Sequence, residues 1–290
     1  MKFKEWVYFI LLSLVWGSSF LFIKIGVQEV GPVTLVAFRL LFGLVGLTAV
    51  WVYYKPEFPK GRSTWAALTL LGITNTTLPF ILISWGEQFI DSGVAAVLNA
   101  TVPIFAVLIA HYVLHDEKIT MLRFLGISAG FAGVVILMNK SLGVENFTQN
   151  ILGQGAVVLA SLFYAGSSVF ARWKLTSVSP VVQALVTVAV ADLFSWILVL
   201  FLEPIHELPK LPLTWFAFVW LGLLGSCVAY LLYFWLIRNI GSTRSTMVTY
   251  VMPPIGVILG VVFLQEQLDW NLALSLILIV GSVWLVNKKK

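Results

Sequence analysis

The sequence predicts an all-α membrane protein of ten transmembrane helices, built as two inverted five-helix repeats. Three observations carry this. Apolar residues make up 60% of the 290-residue chain and charged residues only 11%, whereas an average soluble domain carries about 25% charge. The apolar residues fall into ten stretches of about 17–24 residues, each able to cross a hydrocarbon core of about 30 Å. The chain also repeats itself at a spacing of about 148–150 residues: Ser13-Leu14 returns as Ser161-Leu162, Phe22 as Phe170, Pro32-Val33 as Pro180-Val181, Thr64-Trp65 as Thr214-Trp215, Trp85 as Trp235 and Pro103 as Pro253.

The spans read, in order, as 5–27, 33–53, 64–86, 91–113 and 121–138, then 153–174, 180–202, 214–237, 242–264 and 270–287. The short loops between them carry Pro, Gly and charge, which end apolar helices. Span 1 follows Lys2 and Lys4 and so imitates a signal peptide. No small-residue cleavage site follows it, and it belongs to the repeat, so it is retained as a helix. The repeats occupy residues 1–140 and 150–290, joined by a polar loop around Asn139 to Leu152. An odd number of crossings per copy forces the second copy to insert upside down. Inverted repeats point to alternating access around a site near the midplane.

Charge sets the orientation. With both termini cytoplasmic, the inner loops and ends hold fourteen cations: Lys2, Lys4, Lys55, Lys60, Arg62, Lys118, Arg123, Arg172, Lys174, Arg238, Arg244 and Lys288 to Lys290. The outer loops hold only Lys140 and Lys210, while Lys24 and Arg39 lie within spans. This asymmetry predicts a multi-pass plasma-membrane protein with cytoplasmic termini. In a Cys227→Ser background, a cysteine at Gly143 is expected to label from outside the cell and one at Gly61 only from inside. Reversed accessibility would end the inverted-repeat argument. The scattered cations form no compact nucleic-acid surface, and the basic face reads as topology and contact with the lipid bilayer. The single cysteine, Cys227, excludes an internal disulfide.

Several segments resemble a known family. Trp16 to Gly26 (WGSSFLFIKIG), followed by Pro32 and Arg39, is similar to the opening of EamA-type members of the drug/metabolite transporter superfamily. Gly93 to Glu117 resembles the family's fourth helix and the acidic loop after it, and Ser245 to Gln267 is the second-half counterpart. The resemblance spans essentially the whole chain. Tyr164-Ala165 departs from it in place of Trp16-Gly17, and Thr187 stands where the first half has Arg39. The resemblance implies a ten-helix secondary carrier that exports small organic metabolites such as amino acids or related toxic compounds, rather than an enzyme.

Candidate site residues follow. Pro103 and Pro253-Pro254 are expected to interrupt spans 4 and 9, since proline removes a backbone donor and clashes with the preceding turn. Freed carbonyls at membrane depth need protein partners or a water-lined cavity. Asn99 and Thr101 precede the first break, and Thr246, Thr249 and Tyr250 the second. A kink re-bonded by threonine is the structural alternative. Trp16, Ser18, Ser19, Asn75, Tyr164, Ser167, Ser226 and Tyr230 could form an amphipathic aromatic wall for a moderately apolar solute; small residues also serve helix packing alone. The substrate-binding candidates are Trp16, Ser19, Asn75, Asn99, Tyr164, Tyr230, Thr249 and Tyr250.

Charged groups gather toward the outside. Lys24, Arg39, Glu87 and Asp91 could make and break an outer gate, or serve as interfacial anchors. Arg39 lies deeper than the others, and so requires a partner or an anionic substrate. Asp192 is the one carboxylate deep in a span. It is a candidate for proton coupling, or a neutral acid bonded to a neighbour such as Ser195. Glu117 and Glu266 recur at matching turns and are expected to cap or close helix ends. His111 and His115 to Glu117 lack a full ligand set, so no metal is expected. No nucleotide loop is present, so neither ATP drive nor any cofactor is expected. Asn146 to Thr148 is a sequon relevant only in a glycosylating host. The competing functions are a passive facilitator or channel, and an integral-membrane lipid-modifying enzyme, which would place several acid–base or metal groups at one interface.

Overall fold

The computed structural model describes residues 3–113, 121–139, 147–203, 208–240, 245 and 248–287. The expectations placed on Lys140, Asn146, Arg244, Thr246 and His115 to Glu117 lie outside these residues. Ten helical crossings are present: α1 (Phe3–Gly26), α2 (Pro32–Tyr54), α3 (Arg62–Gly86), α4 (Ser92–Val113), α5 (Met121–Asn139), α6 (Phe147–Lys174), α7 (Pro180–Leu202), α8 (Pro212–Ile240), α9 (Val248–Leu264) and α10 (Trp270–Asn287). Seven of them are long and apolar enough to cross a membrane over their full length, and α5, α9 and α10 carry shorter apolar stretches. Val45, Leu200, Ile258 and Ile277 are among many large apolar side chains on the outer surface. So much exposed apolar surface is stable against lipid rather than water.

Corresponding helices of the two halves pack against each other and run antiparallel. The start of α2 meets the residue that ends α7, through Glu203. The start of α4 meets the residues after α9, through Glu266. Between α5 and α10, Gly130 faces Ser282 and Gly133 faces Ile279 and Ser275. The remaining seams are symmetry mates: α1 packs on α8 and α9, and α6 packs on α3 and α4. Antiparallel packing of equivalent helices makes the halves inverted in the structure.

The repeat also has local causes. At the start of α3 the Trp65 indole N–H donates to the Pro59 carbonyl at 2.8 Å, and at the start of α8 Trp215 donates to Pro209 at 3.0 Å. Each half thus fixes the entry to its third helix with a tryptophan bonded six residues back.

Two features of the helices differ from expectation. Proline breaks only one of the two expected spans. In α4 the helix stops at Asn99 and resumes at Val102, with Ala100 and Thr101 bonding three residues back to Val97 and Leu98. In contrast, α9 runs unbroken through Pro253 and Pro254. The φ that proline imposes, near −65°, is itself helical, and α9 is held on both sides by α1 and α4. The second feature is a pair of π-helical segments at matching positions, Ile73–Thr77 in α3 and Trp220–Val228 in α8. Such segments are rare and concentrate at functional sites. In both, a hydroxyl bonds five residues back: Thr77 to the Gly72 carbonyl and Ser226 to the Leu221 carbonyl.

Candidate functional site

A cavity lies at the seam between the halves, with about 740 Å³ of space outside the protein atoms, its open mouth included. Ten of its seventeen lining residues fall in five symmetry-related pairs: Trp16 with Tyr164, Phe80 with Tyr230, Ile83 with Tyr233, Asn99 with Thr249, and Val102 with Met252. The members of each pair are 148 or 150 residues apart in the sequence. At these positions the placement is symmetric while the chemistry is not. The second half supplies three phenols where the first supplies an indole, a phenyl ring and an aliphatic chain.

Of the eight substrate-binding candidates, Trp16, Ser19, Asn75, Asn99, Tyr164, Tyr230 and Thr249 line this cavity. Tyr250 does not. It packs against Ile104, Val107 and Ile127 in a separate apolar cluster, because one residue along a helix turns the side chain by about 100°. Pro103 and Pro253 are not in the wall either, but Val102 and Met252, directly before them, are. Phe80, Tyr233 and Met252 were not anticipated. Tyr233 follows Tyr230 by three residues, the spacing that places two side chains on one helix face. Phe80 occupies the repeat position of Tyr230.

The wall is cross-braced. The Trp16 indole donates to the Gly225 carbonyl at 3.1 Å, and its ring lies 5.1 Å from that of Tyr233 and 6.2 Å from that of Tyr230. The Tyr230 hydroxyl is shared with Thr76 at 2.8 Å and Asn75 at 3.4 Å. Both first-half partners come from the π-helical segment of α3. The π-bulge thus turns polar groups inward at the waist of the site.

Arg39 also lines the cavity and is buried at 3% exposure. Its Nε donates to Ser226 Oγ at 3.0 Å, and its guanidinium carbon lies 3.7 Å from the centre of the Phe80 ring. Close helix contact makes this possible. A Cβ on Gly222 would sit 2.7 Å from the Arg39 carbonyl oxygen and 2.4 Å from Phe42 Cβ. The same contact recurs in the other half, where a Cβ on Gly72 would lie 3.0 Å from the carbonyl of Thr187, the repeat position of Arg39.

The remaining charged candidates lie apart from the cavity wall. Lys24 does not pair with the Glu87 carboxylate. Its ammonium instead donates to the carbonyls of Glu87 at 2.6 Å and Ile90 at 2.8 Å, closing the C-terminal end of α3, where orphan carbonyls favour a cation. Both Glu87 carboxylate oxygens are buried without a hydrogen-bond partner. Asp192 is buried on α7 but lies outside the wall. Its polar neighbour is Trp196 rather than the expected Ser195, whose hydroxyl has no partner.

At the face where α1 ends, three carboxylates tie the two halves together. Glu203 accepts from the backbone N–H groups of Val33 and Thr34 at 3.1 and 2.8 Å. Glu266 accepts from those of Ser92 and Gly93 at 2.7 and 2.9 Å. Glu29 accepts from the N–H groups of Lys210 and Leu211 and from the Thr214 hydroxyl at the start of α8. Helix N-termini offer unpaired donors and positive potential, so each carboxylate both caps and ties. Helix capping by Glu266 matches the role expected for it. The need is local: Gly31, at the N-cap of α2, has no side chain to cap with, whereas its repeat partner Ser179 caps α7 itself through Val182. The Thr214 hydrogen bond, aided by Lys210 and Leu211 and opposed by desolvation, holds the Glu29 carboxyl below its ordinary range. That tie therefore contributes fully above the ordinary glutamate pKa and is lost only as pH falls through the lowered value. Glu29→Gln is accordingly expected to remove the acid end of any pH dependence in labelling at this face.

Ten crossings, inverted halves and a seam cavity define a polytopic membrane transporter. The profile of the EamA-like transporter family matches residues 4–139 and again 151–288, and the chain belongs to that family. It is 29% identical to the uncharacterized inner membrane transporter YedA of Escherichia coli K12, over 96% of this chain and 89% of that protein. It is 23% identical to the uncharacterized transporter YoaV of Bacillus subtilis, over 94% and 93%. A Streptantibioticus cattleyicolor protein described as a "probable terminal-alkyne amino-acid exporter" is 26% identical, over 100% of this chain and 95% of that one. A solved crystal structure at 20% identity shares the fold, with a TM-score of 0.73 over 99% of this chain and 98% of that chain.

Proposed function

We propose that the chain is a secondary carrier that exports a small amphiphilic organic metabolite, of amino-acid size, by alternating access around the seam cavity. The observation that carries this is the pairing of the wall. At five positions each half contributes the equivalent residue to one shared site, so rocking one inverted half against the other exposes the site to either side without dismantling it. The site's size and its mixed aromatic and polar lining suit a small solute with both apolar and polar parts. The Streptantibioticus relative's printed name points to amino acids. The orientation supported by the charge asymmetry has both termini in the cytoplasm.

The test is counterflow in proteoliposomes with radiolabelled amino acids, nucleobases and amphiphilic cations. Asn99→Leu is expected to slow exchange about fivefold or more, the scale of one lost hydrogen bond, with unchanged membrane insertion. Tyr250→Ala, outside the wall, is expected to remain near wild type. Equal effects of the two substitutions would place the site elsewhere.

Energy coupling is a separate part of the proposal. Asp192 is the acid deep in α7, and an intramembrane carboxyl is a candidate proton carrier. Asp192→Asn is expected to keep exchange and lose accumulation driven by a pH gradient. Accumulation unchanged in that variant removes Asp192 from the coupling.

A further inference from the structure

We propose that the transported solute carries one planar oxyanion, a carboxylate above all, and that Arg39 grips it through the two terminal nitrogens of its guanidinium. This rests on reading the cavity as the transport site.

The inference starts from what Arg39 does not do. Among the described residues it forms no ion pair, and its one hydrogen bond uses Nε, toward Ser226. The face of the guanidinium is covered by the Phe80 ring. That leaves Nη1 and Nη2 without a protein acceptor at a buried position in the wall. Those two nitrogens form a planar fork whose geometry matches a carboxylate. Nη2 lies over Gly225, where a Cβ would come within 3.3 Å of it, so backbone without a side chain leaves room beside the fork. Glu87 is the acid within electrostatic reach, but its carboxylate oxygens accept no hydrogen bond.

A cation held this deep without a bonded counter-ion is expensive. Sites that keep one do so for a partner that arrives. Two further phenols belong to the same wall: Tyr164 and Tyr233 line the cavity, and their hydroxyls have no hydrogen-bond partner among the described residues. Tyr230, by contrast, is already bonded to Thr76 and Asn75. Phenolic O–H groups beside a guanidinium complete an oxyanion's acceptor demands.

The inverted repeat sharpens the point. The position equivalent to Arg39 is Thr187, whose hydroxyl turns back onto the Gln183 carbonyl of its own helix. The wall therefore carries one cation together with apolar residues that include Ile83, Val102, Val248 and Met252. One charge fits one anionic end, and the apolar remainder fits a hydrocarbon or aromatic body. A dianion would bring a second charge that nothing in the wall matches.

The test uses probes that share a body and differ at the charged end. Leucine, 4-methylpentanoate, leucinamide and 3-methylbutylamine form one series; phenylalanine, 3-phenylpropanoate, phenylalaninamide and 2-phenylethylamine form another. Counterflow of each is measured in proteoliposomes bearing wild type, Arg39→Lys or Arg39→Gln, with monodispersity checked for each variant. The expected result is that carboxylates exchange and the matching amides and amines do not. Arg39→Gln should raise the half-saturating carboxylate concentration by about 30-fold or more, the scale of leaving one side of a buried charge pair unmatched, and Arg39→Lys should restore part of the affinity. Comparing leucine with 4-methylpentanoate distinguishes an amino acid from a simple carboxylic acid, and exchange of either one supports the inference. Exchange of amides or amines as fast as of acids, or unchanged carboxylate affinity in a well-folded Arg39→Gln, overturns the inference and leaves the carrier standing. Exchange of no probe of any charge counts against the carrier reading itself.

Discussion

Gly222→Val is expected to abolish exchange and to lower the thermal midpoint of the purified protein by several degrees. The cause is the closest helix contact in the site. A Cβ at Gly222 would meet Phe42 Cβ at 2.4 Å, the Arg39 carbonyl at 2.7 Å and the Gly43 nitrogen at 3.0 Å. Two of these are backbone atoms and the third is a Cβ, so none can swing away. Overpacking of this kind costs about 1–3 kcal/mol, and a β-branched side chain enlarges the clash. Glycine's helix penalty is about 1 kcal/mol relative to alanine, and β-branched valine keeps roughly half of it, so the recovery is too little to offset the clash. The displaced element is the stretch of α2 that carries Arg39, so transport should suffer before folding does. Gly155→Ala is the control. Nothing lies within 4 Å of a Cβ there, and a neutral or slightly raised midpoint is expected. Equal behaviour of the two variants in melting and exchange would refute the packing argument.

The combined substitution of Glu203 and Glu266 by alanine is expected to loosen the face at which α1 ends and to raise access to the cavity from it. Each carboxylate accepts two backbone hydrogen bonds from a helix start in the opposite half. Hydrogen bonds to a charged group contribute about 1.5–3 kcal/mol each, so losing even one net bond shifts an open–closed equilibrium about tenfold or more. Both carboxylates sit in slots that only glycine leaves. A Cβ on Gly31 would fall 2.1 Å from one Glu203 oxygen, and one on Gly260 would fall 2.2 Å from one Glu266 oxygen. Gly31→Ala and Gly260→Ala should therefore reproduce the effect by expelling the acids. The measurement is labelling of Ile83→Cys, in the cavity wall, from that face in a Cys227→Ser background. A rise of about tenfold is expected in the double alanine variant. An unchanged rate means the caps support the helices without holding the face shut.

Much of the site was legible before the helices were placed. Trp16, Asn75, Asn99, Tyr164, Tyr230 and Thr249 stand out as polar or amphipathic groups in apolar spans, near prolines or repeated small residues. Tyr250 lies outside the cavity wall and Tyr233 within it for one reason. Which residue of a span faces the seam depends on helix rotation, and an apolar span has no polar stripe to report it. Arg39 was recognisable as unusual, since a cation within a span needs an explanation. Its actual surroundings, Phe80, Ser226 and Gly225, come from three separate stretches of chain and could not be read from any one of them.

By itself the sequence determined the class of molecule, the ten spans and the inversion. Those follow from quantities local to a segment: the length of an apolar run against the membrane's thickness, the parity of crossings, and a repeat visible at constant spacing. Tertiary structure alone decided the rest. It kept α9 helical through two prolines, because neighbours on both sides hold it. It turned Glu203 and Glu266 into ties between halves, because a carboxylate finds a helix N-terminus only when another helix delivers it. It also left Arg39 with an open fork in a shared cavity, because an absent partner becomes visible only when every neighbour is in place.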